Sequence, residues 1–113
     1  MKRNFDKYTQ AFAEAWNTLD ISPIQGLLAK QFHYSSFWVF SEITSAEEYL
    51  DYLNGKFASI QKTGSVVKAG YIHGKRYITL VQDGNTPKCG IILKINSRGK
   101  VSRADMMPIE MCC

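Results

Sequence analysis

Apolar residues recur at spacings of three and four over residues 4–19, where Phe5, Tyr8, Phe12, Trp16 and Leu19 fall on one face of a helix. Asn4 is placed to cap this helix, and Asp6 lies in the first turn, where a carboxylate meets unsatisfied N–H groups. Most of the stripe reads as core. Tyr8 and Trp16 stand apart within it, because their polar tips need partners when buried. Ser22-Pro23-Ile24-Gln25 reads as a capping box with proline at the first helical position, opening a short second helix with Ile24, Leu27 and Leu28 on its apolar side. A third helix follows Ser45, with Ser45 and Glu48 as a second capping box. It runs to about residue 61 on Tyr49, Leu50, Leu53, Phe57 and Ile60. The period passes through Asn54-Gly55 unbroken, and Gly64 is the stop signal.

Beyond Gly64 the period falls to two. Strands are predicted over 66–73, 76–82, 88–96 and 101–107, with turns at Gly74-Lys75, Asp83-Gly84-Asn85 and 97–100. In the third of these, Cys89, Ile91, Leu93 and Ile95 alternate with Lys88, Gly90, Ile92, Lys94 and Asn96, giving one face to helices and a wetter face to solvent. Pro108 limits pairing at the end of the last strand. Between the second and third helices, residues 32–43 (FHYSSFWVFSEI) read as one or two short strands bent near Ser35-Ser36. Helix, helix, strand pair, helix and four-strand meander make an α+β domain with helices on one face of an antiparallel sheet. A strongly curved sheet wrapped over a long helix leaves a cavity closed at one end, and the aromatic stretch is its expected wall.

Composition narrows this picture. The 113 residues fit one domain, spanning 1–113, large enough to bury a core without disulfides or metal. The net charge of +4 is spread along the chain with no block of five basic residues, so a solvated surface is favoured over nucleic-acid binding. Three cysteines, Cys89, Cys112 and Cys113, form no disulfide framework. The Cys-Cys end resembles a prenylated tail, but nothing else points to a membrane. Polar Asn4 and Asp6 interrupt any leader, and no apolar stretch approaches the length of a membrane span. The expectation is a cytoplasmic chain.

Ala15-Trp16-Asn17, Asp20, the short capped helix and Phe32-His33-Tyr34-Ser35 resemble the opening of nuclear transport factor 2-like (SnoaL-like) domains. The capped helix at Ser45 and the closing Gly99-Lys100-Val101-Ser102-Arg103 are similar to the same family, so the resemblance spans nearly the whole chain. It implies a cone-shaped α+β fold, cystatin-like, with a pocket lined by the first helix, the aromatic strands and the sheet. The family includes cyclases, isomerases, dehydratases and binding or dimerising domains, so the fold alone does not give function. Many members pair through the open sheet face, which here would carry Tyr71 or Ile72, Ile92 and Val101, and a homodimer is expected.

The family's enzymes use a pocket carboxylate and an oxyanion-binding hydroxyl. A carboxylate in an apolar cavity has its pKa raised and can move protons near neutrality. Glu42, Asp105 and Tyr34 are the candidate catalytic residues, with Tyr8 as a second hydroxyl. Asp105 has a competing reading as the surface partner of a cross-strand Lys or Arg, and strand parity places it with Val101 and Arg103. Glu42, just before the third helix, has a competing reading as loop surface. Alternation lets only one of His33 and Tyr34 face the pocket, and Tyr34 with Phe32 and Trp38 is the more apolar set. The expected ligand-binding residues are Tyr8, Trp16, Phe32, Tyr34 and Trp38, and the expected ligand is small and apolar or aromatic. His33 and His73 are the only histidines and no metal-ligand spacing occurs, so neither metal nor other cofactor is expected.

Overall fold

The computed structural model describes residues 5–37, 39–71, 76–82 and 89–108. The expected cap Asn4, the turns expected at Gly74-Lys75 and Asp83-Gly84-Asn85, Trp38, Ile72, His73, Cys112 and Cys113 lie outside them. Helix α1 (Phe5–Thr18) turns Phe12, Ala15 and Trp16 into the core as its periodicity requires. It ends without glycine. Leu19 takes a φ of 55°, and the Asp20 N–H donates to the Ala15 carbonyl at 3.0 Å.

The helix that follows is shorter than its pattern implies, and its capping box does not form. Helix α2 (Ser22–Gln25) has Ile21 at its N-cap with no side-chain hydrogen bond. The Asp20 carboxylate instead accepts the Ser22 N–H at 2.9 Å and the Ser22 hydroxyl at 2.8 Å, which engages the oxygen that was to act as the cap. Leu28, expected on the apolar side of that helix, opens a strand.

Helix α3 (Ala46–Thr63) does form its cap, with the Ser45 hydroxyl accepting the Glu48 N–H at 3.1 Å. It passes through Asn54-Gly55 without a break and stops at Gly64, whose φ of 74° suits glycine. Tyr49, Leu53 and Phe57 form its buried face.

Six strands form one open sheet: β1 (Leu28–Ser36), β2 (Val39–Ile43), β3 (Val67–Tyr71), β4 (Tyr77–Gln82), β5 (Cys89–Ile95) and β6 (Val101–Pro108), in the order β2-β1-β6-β5-β4-β3. All neighbours are antiparallel except β1 and β6, which run parallel with Tyr34 opposite Ala104 and Ser35 opposite Asp105. Backbone bonds of 2.8 Å, from Val101 N–H to the Leu27 carbonyl and from Phe37 N–H to the Met106 carbonyl, fasten both ends of that pair. Register shifts interrupt the β1/β2, β1/β6 and β5/β6 ladders. Such bulges bend strands and increase twist, the local means by which a sheet curves around helices.

The helices cover one face of the sheet. Helix α1 packs across β3 and β4, and α3 packs against β1. Phe32, Tyr34, Ile78, Leu80, Ile91, Leu93, Ala104 and Met106 supply the sheet side of this core. The β5/β6 shift also corrects the parity expected for β6. Val101 is fully buried with Ala104 and Met106, whereas Arg103 and Asp105 point to the uncovered face. The residues expected on that open face divide accordingly. Ile92, opposite Asp105, is there. Val101 is in the core, and Tyr71, opposite the buried Ile78, faces α1.

Strand β3 is the sheet edge beside α1. There Asn17 donates its amide Nδ2 to the Ala69 carbonyl at 2.9 Å and accepts the Ala69 N–H at 2.7 Å. One helical side chain thus satisfies both backbone groups of a mid-strand residue on an edge.

Candidate functional site

Where the second half of α3 leans away from β3, β4 and the near ends of β5 and β6, a cavity of about 270 Å³ opens. Its floor is apolar: Trp16, Leu80 and Met106 are almost fully buried, and Ile60 and Val67 adjoin them. Its rim is polar, with Lys56, Ser59 and Thr63 from successive turns of α3, then Ser65 and Gln82. Cys89, a thiol and not half of a disulfide, also lines it. The Trp16 ring meets Phe57 edge-on, with centroids 5.1 Å apart and planes at 77°. Trp16 is only 2% exposed, yet its indole Nε1 has no hydrogen-bond partner among the described residues.

Of the described residues expected to bind a ligand, only Trp16 is in this lining. Tyr8 sits two turns nearer the start of α1, about 12 Å along the axis at 1.5 Å per residue. Its hydroxyl donates to the Gly99 carbonyl at 2.9 Å, pinning the helix to the β5–β6 turn. Phe32 is fully buried and packs on Tyr49, with centroids 4.6 Å apart. Tyr34 does point to the helix side, as alternation with His33 requires, but it packs between Tyr49 and Tyr52. Its hydroxyl donates to the Met106 sulfur at 3.8 Å, so it stands behind the cavity floor. Burial raises the pKa values of Tyr34 and Tyr49 above the ordinary phenol range, and both remain neutral hydroxyls. Trp38 lies outside the described residues.

Glu42 and Asp105 lie on the other side of the sheet from the cavity. Glu42 belongs to strand β2 and not to a loop. Its Oε1 meets His33 Nδ1 at 3.0 Å and Arg103 Nη1 at 2.9 Å. Arg103 Nε in turn donates to both Asp105 oxygens at 3.0 Å, and the Ser35 hydroxyl donates to Asp105 Oδ1. The result is a chain of side chains across β2, β1 and β6, with one guanidinium shared by two carboxylates. Hydrogen bonds from His33 and then Arg103 hold the Glu42 carboxyl below its ordinary pKa. That direction is opposite to the one a pocket acid needs. Hydrogen bonding to Asp105 raises the Arg103 pKa and keeps it charged. The Asp105 partner is therefore two residues away on its own strand, and not the cross-strand cation that alternation offered.

Apart from Trp16, the apolar residues that build the cavity are legible in the sequence only as core. Ile60 belongs to the α3 stripe and Leu80 to an alternating strand. That they leave a space depends on how far α3 stands from β4, which no local pattern encodes. Among the described residues no group of three or more His, Cys, Asp or Glu is placed to hold a metal ion, and no helix is long and apolar enough to cross a membrane.

No family model matches the sequence, and no curated protein matches it. Solved structures do match in fold. A nuclear transport factor 2-like protein of unknown function from Mesorhizobium loti superposes with a TM-score of 0.71 at 11% identity, covering 96% of this chain and 95% of that one. A SnoaL-like protein of unknown function from Burkholderia thailandensis gives 0.70 at 14% identity, covering 96% of each chain. An epoxide hydrolase from Mycobacterium tuberculosis gives 0.58 at 16% identity, covering 91% of this chain and 80% of that one. The chain has the nuclear transport factor 2-like fold, the cystatin-like α+β architecture shared by SnoaL-like proteins.

Proposed function

We propose that the chain is a single SnoaL-like domain that binds a small, largely apolar molecule in the cavity beneath α3. The observation that carries this reading is the cavity's make-up: an apolar floor of Trp16, Leu80 and Met106 under a rim of Lys56, Ser59, Thr63, Ser65 and Gln82. Its 270 Å³ lies close to the lower end of the range for small-molecule sites. Catalysis by a pocket carboxylate has less support, because the described lining residues include no carboxylate or imidazole and both Glu42 and Asp105 are tied to Arg103 on the far face. Lys56 at the rim favours neutral or anionic ligands over cations. The setting is cytoplasmic.

The test is titration with 1-anilinonaphthalene-8-sulfonate, an aromatic anion. The native protein should bind one equivalent saturably. Ile60→Trp, which fills the cavity from the rim, should abolish binding while leaving the far-UV circular dichroism unchanged. Equal binding by the folded Ile60→Trp protein would sink the proposal.

A second reading has its own observation. Among the described residues nothing covers the sheet face opposite the helices, which carries Ile92 between the half-buried Tyr77 and the Arg103–Asp105 pair. Homodimerisation through that face predicts twice the chain mass by sedimentation equilibrium and a monomer on Ile92→Lys. A concentration-independent monomer removes it.

A further inference from the structure

We infer that the ligand of this cavity is a small monoanionic amphipath: an apolar ring or branched body seated on the floor, with one carboxylate at the rim beside Lys56. This rests on the proposed binding function and narrows it. Lys56 is the one charged side chain among the described residues of the lining, and none of those residues is a carboxylate or an imidazole. It is exposed, and it forms no ion pair among the described residues. Helical ion pairs form three or four positions apart. Those positions around Lys56 hold Tyr52, Leu53, Ser59 and Ile60, so its own helix offers it no carboxylate. The ammonium therefore keeps its three donors on a flexible four-carbon stem, able to meet an acceptor in the mouth.

The two ends of the rim along α3 differ, and the difference places the charge. At the far end the Thr63 hydroxyl donates to the Ile60 carbonyl at 3.2 Å and to Ser65 Oγ at 3.3 Å, so that end supplies its own partners. Helix α3 also stops at Thr63, and the negative end of its dipole acts within that last turn, where it disfavours an anion. Lys56 lies seven residues earlier in the helix, about 10 Å along the axis and beyond that influence. Ser59, three positions on and on the same face of α3, adds a hydroxyl donor there. A carboxylate, which only accepts, complements this pair. Below them, Trp16, Leu80 and Met106 supply apolar surface and no second cation. A dianion such as a phosphate monoester would leave one charge unpaired over that floor, at a high desolvation cost.

Three bicyclic probes of one shape test this: indane-2-carboxylate, its neutral carboxamide and the cation 2-aminoindane. Each is titrated calorimetrically at neutral pH, beside the 1-anilinonaphthalene-8-sulfonate titration. The carboxylate should bind about two- to fivefold more tightly than the carboxamide, the worth of an ion pair at an exposed rim. The amine should bind most weakly, and added salt should narrow the differences. Lys56→Gln should bring carboxylate and carboxamide to about equal affinity, and Lys56→Glu should reverse the order of acid and amine. Both replacements keep a good helix former at an exposed position, so the fold is retained. A carboxamide that binds the native protein as tightly as the carboxylate, or an order that Lys56→Glu leaves unchanged, overturns the inference. Charge-blind binding of the probes that Ile60→Trp abolishes overturns it and leaves the binding function standing. Failure of the three probes and of the sulfonate to bind overturns the two together.

Discussion

At the scale of single residues, the two carboxylates that invited a catalytic reading are held by one arginine. Their chemistry follows from that partner and from the side of the sheet they face. Glu42 has its pKa lowered in the folded chain by His33 and Arg103. The stability it contributes is therefore fully present above its unfolded value of about 4.3 and is lost as pH falls through the lower folded value. Urea unfolding of the native protein should show its midpoint falling in this acid range, and Glu42→Gln should show a shallower fall. Identical profiles would mean that the pair does nothing for stability, as with many exposed ion pairs. Asp105 is more sheltered, at 12% side-chain exposure against 40% for Glu42. Arg103→Ala removes the cation from a nearly buried carboxylate and should cost about 1–3 kcal/mol by denaturant unfolding. A double-mutant cycle with Asp105→Ala should give a coupling energy well above zero. Alternation alone separated His33 from Tyr34 correctly. It failed for Val101, which parity grouped with Arg103 and Asp105, because one bulge in the β5/β6 ladder changes the face of every residue before it.

At the scale of elements, the two proposed capping boxes make a useful contrast. The same four-residue signature forms at Ser45 and fails at Ser22. Asp20, two residues before Ser22, competes for its hydroxyl, and a helix of four residues has little to gain from a cap. Ser45→Ala should cost about 1 kcal/mol of stability, and Ser45→Asp should restore most of it. Ser22→Ala should cost clearly less than Ser45→Ala, a comparison that thermal unfolding resolves. The β5–β6 turn supplies another expectation. Gly99 has a φ of 76°, and a Cβ built there lies 3.5 Å from the Tyr8 hydroxyl. The space is adequate and the backbone is not, so Gly99→Ala should destabilise by about 1–2 kcal/mol, with Gly99→Asn milder. The helices, most strands and their faces were legible in the sequence because each rests on a local period. The parallel pairing of β1 with β6 was not. It joins segments about seventy residues apart, as the Ser35–Asp105 pairing illustrates. Nothing in either strand specifies the other.

At the scale of the whole molecule, the sheet separates two chemistries. Its helix side holds an apolar cavity floor, and its open side holds carboxylates already paired with Arg103. The sequence pointed to the aromatic run at 32–43 as the pocket wall. In the structure Phe32 and Tyr34 are spent on packing against Tyr49, and the cavity opens instead between α3 and the opposite half of the sheet. Composition identifies residues able to line a pocket, but where packing falls short depends on the separation of whole elements. The same scale gives meaning to Asn17. By binding both backbone groups of Ala69 it acts as a false seventh strand one residue wide. Growth of the sheet past β3 is thereby blocked at its centre. Asn17→Ala should leave the fold nearly as stable but expose a template for fibre nucleation. Thioflavin T fluorescence and light scattering should then rise on incubation well before any loss of circular dichroism from the monomer. A chain that stays clear would mean that the rest of α1 shields this edge unaided.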